Sequence, residues 1–258
     1  MFLKRGDCMK FTKKKKVDRY SIEITILLIM LLAFVFGYAY IEEWIYSVWP
    51  TEVGLVSHYS LPKLTLQFII IAFISCLFAS LVGISIGIFC FTKYGKPFRT
   101  IVEKISMIIQ TIPTMAVLMI GIIAFGIGMK AAVIALVLQG ILPIIFSTIA
   151  GIENISSSYI EVGKGLGMTK GQILRKIQLP MAIPVILSGM RTALIICIGA
   201  ATLAFSTGAG GLGLLIQTGC STYNTVFIFE GTVPICLLAI LADKVLRKAE
   251  NHFYKVSS

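Results

Sequence analysis

The chain has 258 residues, of which 57% are hydrophobic and only 14% charged, and its mean hydropathy is +0.92. Soluble domains carry about 25% charged residues, so an ordinary soluble fold is excluded. The net charge of +11 looks like a nucleic-acid signal until the charges are mapped along the chain, where they fit a membrane protein and no nucleic-acid partner.

A helix needs about 20 apolar residues to cross the hydrocarbon core of a bilayer. Six stretches are candidates: Ile22–Ile41, Leu64–Phe91, Ser106–Ile127, Ala131–Ala150, Pro184–Phe205 and Val226–Leu241. The segment 1–21 before them is basic, with a lysine run at Lys13–Lys16. It reads as a topology anchor that also touches anionic lipid. It is not a signal peptide, because the apolar run after it is too long and no small-residue cleavage site follows.

The segment 22–63 holds the first span and an external loop. Tyr38, Tyr40, Trp44, Tyr46 and Trp49 gather where that span ends, as an interfacial aromatic belt does. The loop Glu42–Pro62 carries Glu42, Glu43, Glu52 and His58 and reads as solvated. The second span repeats small residues at Ser75, Ala79, Gly83 and Gly87, a stripe that lets helix backbones approach closely within the bundle. This span is long enough to tilt or protrude.

The third span begins with Gln110, Thr111, Pro113 and Thr114. Pro113 removes a backbone donor, so the helix kinks or starts there. Gln139 lies in the fourth span, and Thr202 and Ser206 lie at the end of the fifth. Such uncharged groups serve as interhelical glue or line a wet path. Spread over three helices, Gln110, Thr111, Thr114, Gln139, Thr202 and Ser206 point to a path. The sixth span contains Pro234, which is expected to break it. Glu230 precedes that proline; a charge within a span is functional by default, but near a helix end it can reach water, and that reading is the favoured one over a transport role.

Between the fourth and fifth spans lies a polar loop, residues 151–182. Ser158-x-x-Glu161 and Thr169-x-x-Gln172 are capping-box patterns. They predict two short helices, the first broken at Gly165 and Gly167, the second ended by Pro180. Leu166, Met168, Ile173, Leu174 and Ile177 give this loop apolar side chains outside the lipid core. An amphipathic helix laid into a partner's groove uses such a face.

Twenty of the 23 Lys and Arg fall on segments of one side, only Lys63 and Lys130 on the other, and Arg191 lies within the fifth span. Cytoplasmic loops carry the excess, which puts both termini in the cytosol. The cysteines at 8, 76, 90, 197, 220 and 236 form no CxxC pair, so neither zinc nor a disulfide framework is indicated. Gly208–Gly213 fits G-x-G-x-x-G, but no βαβ unit surrounds it, and no phosphate-binding G-x4-G-K-[ST] occurs. No catalytic residues, metal site or cofactor are expected.

Glu161, Gly167, Ile177, Leu179 and Pro180 resemble the Glu-Ala-Ala-x3-Gly-x9-Ile-x-Leu-Pro loop of ABC-importer permeases. With the stretches Gln110–Leu118, Leu179–Phe205 and Gly208–Gly213, the chain is most similar to the osmoprotectant subfamily over about Leu64–Leu246. It departs at Val162 and Gly163, where the motif has two alanines, and at Ser206 and Thr207, where relatives are more apolar. The resemblance implies an all-α, polytopic type I ABC-importer permease (MetI-like) fold of about six spans, with the permease domain at 64–246 and a cytosolic tail at 247–258. It implies docking of an ATPase through Glu161, Gly167, Met168, Ile177, Leu179 and Pro180. It implies a second permease subunit, alike or different, an external binding protein and a bacterial cell-membrane location. The solute is then glycine betaine, choline, carnitine or a related quaternary amine. Import of methionine or another small solute, and a channel or ion-driven carrier, are the alternatives.

Overall fold

The computed structural model describes residues 20–38, 60–92 and 94–257. The basic run at Lys13–Lys16, the aromatics at 40, 44, 46 and 49, and most of the external loop lie outside them. The described residues are helical: α1 Tyr20–Tyr38, α2 Leu61–Phe89, α3 Arg99–Thr111, α4 Thr114–Phe125, α5 Met129–Glu153, α6 Ser157–Gly165, α7 Lys170–Ile173, α8 Leu179–Ala201, α9 Gly213–Thr222 and α10 Thr225–Ser257. Five helices are long and apolar enough to cross a membrane, or six if the bent α3–α4 pair counts as one.

The core is built on α5, which packs against both α2 and α8. Small residues permit the approach. A Cβ added at Gly87 would lie 2.6 Å from Thr148 Cβ, and one at Gly83 3.0 Å from Ile144 Cβ. Ser75 and Ala79, on the same stripe, are fully buried, and Ser75 Oγ donates to the Val133 carbonyl at 3.5 Å. Across the other face, Gly189 leaves room for Ser147, and Gly151 for Ala182 and Val185.

Three of the expected spans differ in detail. The third, Ser106–Ile127, is no single helix: α3 and α4 meet at 100° across Ile112 and Pro113. Pro113 has no N–H and biases Ile112 to an extended backbone (ψ 125°), which ends α3. The fifth span starts well before Pro184, because one helical rod runs from Lys170 to Ala201. Pro180 therefore does not end the second loop helix. Residues Leu174–Gln178 form a π-helical stretch in which the Leu179 N–H reaches the Leu174 carbonyl. That one-residue expansion relieves the clash a proline makes with the carbonyl four residues back.

The sixth span is not broken at Pro234. It lies inside the 33-residue helix α10, buried where α10 packs along α8 and α9. Glu230 does not reach water: it is 2% exposed. The short helix α9 folds back over the start of α10, with Gly219 against Ile228 and Gly231 against Ile216, and this cover was invisible in the hydropathy pattern.

Helix α1 lies antiparallel to α10. Phe34 meets Phe229 with ring centroids 6.2 Å apart. About 20 Å down the pair, Lys244 Nζ is 2.6 Å from Glu23 Oε2 and sits over the Tyr20 ring. The start of α1 and the later half of α10 are thereby on the same side of the bundle.

Candidate coupling loop and polar break

The loop after α5 is a helix–turn–helix. Helix α6 is capped by Ser156, whose Oγ accepts from the Ser158 N–H. The expected Ser158–Glu161 box does not form, because the first serine of the run takes the cap. Glu161 consequently sits within α6, exposed, and does not begin it. Helix α7 starts with the expected box: Thr169 Oγ1 accepts from the Gln172 N–H at 3.3 Å, and Gln172 Oε1 accepts from the Thr169 N–H at 2.8 Å.

The turn between them is fixed by Gly167, whose φ is +74°. The Met168 N–H bonds the Gly163 carbonyl at 3.0 Å and the Gly167 N–H bonds the Lys164 carbonyl at 2.9 Å. That is a Schellman helix end, whose left-handed position favours glycine. The departure at Gly163 also has a physical reason. A Cβ there would lie 2.9 Å from Ile177 Cδ1 and 3.1 Å from Ile173 Cγ1, so α6 seats directly on the second arm.

Ile173 is buried and Ile177 half-buried within the loop, while Met168 and Leu179 are half-buried and Pro180 is exposed. Leu174 and Leu179 pack on Ile152, Ala182 and Ile186 at the base of α5 and α8. The loop is thus welded to the spans: the α7 arm is the start of the α8 rod. Opposite lies a second face, of which the apolar residues expected in the loop included only Leu166. Tyr159, Val162 and Leu166 are 52%, 61% and 76% exposed. They recur at i, i+3 and i+7, one stripe of a helix, and that spacing was available in the sequence. Beside the loop, Arg99 of α3 forms a fork with Glu153 of α5, Nη2 to Oε2 at 2.5 Å, and bonds Glu103, tying α3 to the end of α5.

Among the six polar residues expected along a path, the structure brings two together. Thr114 Oγ1 donates to Gln139 Oε1 at 3.3 Å, joining α4 to α5 beside the bend. Gln110 and Thr111 lie exposed on the last turn of α3. The Thr202 and Ser206 hydroxyls turn back to their own backbone, on the Gly199 and Leu203 carbonyls. At the far end, the Gly128 N–H bonds the Thr207 carbonyl at 2.7 Å, and Gly208, Gly210 and Gly211 all have positive φ.

This arrangement matches known proteins. Residues 79–246 fit the family described as binding-protein-dependent transport system inner membrane component. A glycine betaine/carnitine/choline transport system permease protein, OpuCD of Bacillus subtilis, is 42% identical over 171 residues, covering 66% of this chain and 74% of that one. The carnitine transport permease protein OpuCD of Listeria monocytogenes is 40% identical over 176 residues, covering 68% and 78%. The choline transport system permease protein OpuBB of Bacillus subtilis is 40% identical over 187 residues, covering 72% and 85%. Among solved structures, an inward-facing MetNI methionine ABC transporter matches 75% of this chain and 95% of its own, with a TM-score of 0.66 and 25% identity. A multi-helix bundle with a docked helix–turn–helix between two spans, matched over most of its length, has one reading: the chain belongs to the binding-protein-dependent transport system inner membrane components, the permease subunits of ABC importers.

Proposed function

We propose that this chain forms the translocation path for a quaternary-amine osmoprotectant of the glycine betaine, choline and carnitine class. The observation that carries this is the 42% identity to a permease named for those three solutes. The methionine transporter shares the fold at 25% identity, so methionine ranks second. As a permease of this family the chain lies in the inner membrane and works with an ATP-binding subunit and a substrate-binding protein; it is not itself an enzyme.

Two permease subunits pair around a central path, and two ATPase subunits dock on the loops at 151–182, within a permease domain at 64–246. Glu161, Gly167, Met168, Ile177, Leu179 and Pro180 form and seat that docking element, with Tyr159, Val162 and Leu166 as its apolar contact. Closure of the ATPase dimer pushes the loop, and the continuous rod Lys170–Ala201 carries the push into the membrane through Leu174 and Leu179. Gln110, Thr111, Thr114, Gln139, Thr202 and Ser206 supply neutral polar lining, and the stripe Ser75, Ala79, Gly83 and Gly87 holds α2 on α5. A deep fixed charge would hold an oppositely charged solute group too tightly for release. Both termini face the cytosol, and the basic segment 1–21 rests on anionic lipid headgroups.

Orientation is tested by a cysteine scan with a membrane-impermeant reagent. Positions near Glu52 and Thr222 label from outside intact cells; positions near Lys170 and Asn251 stay silent. Outside labelling at Lys170 overturns the docking reading. The solute is tested by reconstituting the complex in vesicles with labelled glycine betaine, choline, carnitine and methionine. Amine uptake is expected; methionine uptake without amine uptake moves the assignment to the second solute.

A further inference from the structure

Where in the path the solute is held follows from the bend between α3 and α4. Gln139 is ten residues into the 25-residue helix α5, about 15 Å from its Met129 end. That is half of a hydrocarbon core about 30 Å thick, so the Thr114–Gln139 pair sits near the bilayer midplane. Two prolines flank it. Pro113 removes the regular start of α4. Pro143 lies inside α5 and lacks the N–H that the Gln139 carbonyl, four residues back, would accept. The sequence therefore strips backbone hydrogen bonds from both helices at the level where two polar side chains meet.

The side-chain geometry gives this spot a direction. The Thr114 hydroxyl donates to Gln139 Oε1 at 3.3 Å. This fixes the amide so that Nε2, its donor end, turns away from Thr114. Nε2 is buried and has no hydrogen-bond partner among the described residues. A buried donor without a partner is costly, so Nε2 is a place where an acceptor is gained at a favourable free energy. The first N–H groups of α4 add donors on the neighbouring helix. The earliest bonds in α4 come from the Ala116 and Val117 N–H to the Pro113 carbonyl, leaving those of Thr114 and Met115 before the ladder starts.

We infer that Gln139, oriented by Thr114, is the subsite that takes the carboxylate of a zwitterionic solute in mid-membrane. The inference rests on the osmoprotectant reading above and adds a specificity to it. A carboxylate only accepts hydrogen bonds, and a charge-assisted bond is about twice as strong as a neutral one. Glycine betaine and carnitine carry a carboxylate; choline ends in a hydroxyl. Gln139 therefore favours the first two over choline. Nε2 is covered in this structure, so a carboxylate reaches it only after a neighbouring helix has moved. The far end of α4 carries two glycines at positive φ, Gly126 and Gly128 (+80° and +129°), which makes α4 the helix we expect to move.

The test compares Gln139→Leu and Thr114→Val with the unaltered chain, each in the full complex with ATPase and binding protein in ATP-loaded vesicles. Initial uptake of labelled glycine betaine, carnitine and choline is measured at saturating binding protein. The ratio of carboxylated solute to choline is the readout, so the amount of inserted complex cancels. Gln139→Leu lowers betaine and carnitine uptake at least about tenfold and choline uptake no more than about threefold. Thr114→Val, which frees the amide to rotate, shifts the ratio in the same direction by a smaller factor. An unchanged ratio in both variants overturns the inference, whether uptake falls equally for all solutes or not at all. If the unaltered complex carries none of the three amines, the osmoprotectant reading itself fails, and the inference with it.

Discussion

Gly167→Val abolishes ATP-driven uptake while the chain still inserts in the membrane. Gly167 holds a φ of +74° in the turn that lets α6 fold back on α7. A β-branched residue in that region costs about 1–3 kcal/mol, and the cheapest relief is to unmake the turn. The Met168 and Gly167 bonds to Gly163 and Lys164 are then lost, and α6 lifts from Ile173 and Ile177. The spans are untouched, because nothing lies within 4 Å of a Cβ at Gly167. Uptake is expected to fall at least about tenfold, the consequence of a change of about 1.4 kcal/mol or more in docking. Gly167→Asn, which tolerates the left-handed region, retains more uptake than the valine variant. Glu161→Lys, at an exposed position of the same helix, reverses charge on the docking face and lowers uptake in parallel. Normal uptake by the valine and lysine variants, with normal recovery of the complex, counts decisively against docking here.

The second large effect is expected from the exposed stripe. Val162→Glu with Leu166→Glu places two carboxylates on a face that is 61% and 76% exposed at those positions. An exposed position carries no folding cost for a carboxylate, so the isolated subunit remains intact. In the complex, each apolar side chain is worth about 1.5–3 kcal/mol when fully buried, and the double variant weakens ATPase binding about 100-fold or more. The measurement is recovery of the ATPase with a tagged permease, followed by a titration in detergent. Unchanged recovery places the ATPase contact elsewhere.

These residues show what the sequence could and could not reveal. Long apolar runs at α2, α5 and α10 were legible because a span needs only length and composition. The bend at Pro113 was legible as a break but not as a 100° corner, since a hydropathy window cannot register direction. Capping followed local chemistry where there was one choice, at Thr169. It misled where three serines in a row competed, at Ser156–Ser158. Pro180 misled because the π-helical turn before it, which carries the helix through, depends on how Leu174 and Leu179 pack on α5 and α8. Glu230 was misplaced because its burial is tertiary, set by the packing of α10 along α8 and α9. The Thr114–Gln139 pair joins two helices across 25 positions, and no local pattern announces such a pairing. The Tyr159–Val162–Leu166 stripe has a helical spacing in the sequence, but spacing alone does not say that the loop leaves it uncovered.

The central claim is that this chain moves solute only when an ATPase pushes on residues 151–182. Vesicles carrying the chain alone, the chain with ATPase and binding protein, and the same complex with Gly167→Val test it side by side, with labelled glycine betaine and ATP available to the ATPase. The account predicts concentrative uptake in the second set only, persisting when the proton gradient is collapsed and ATP is maintained. Uptake by the chain alone, without any ATPase, would contradict it.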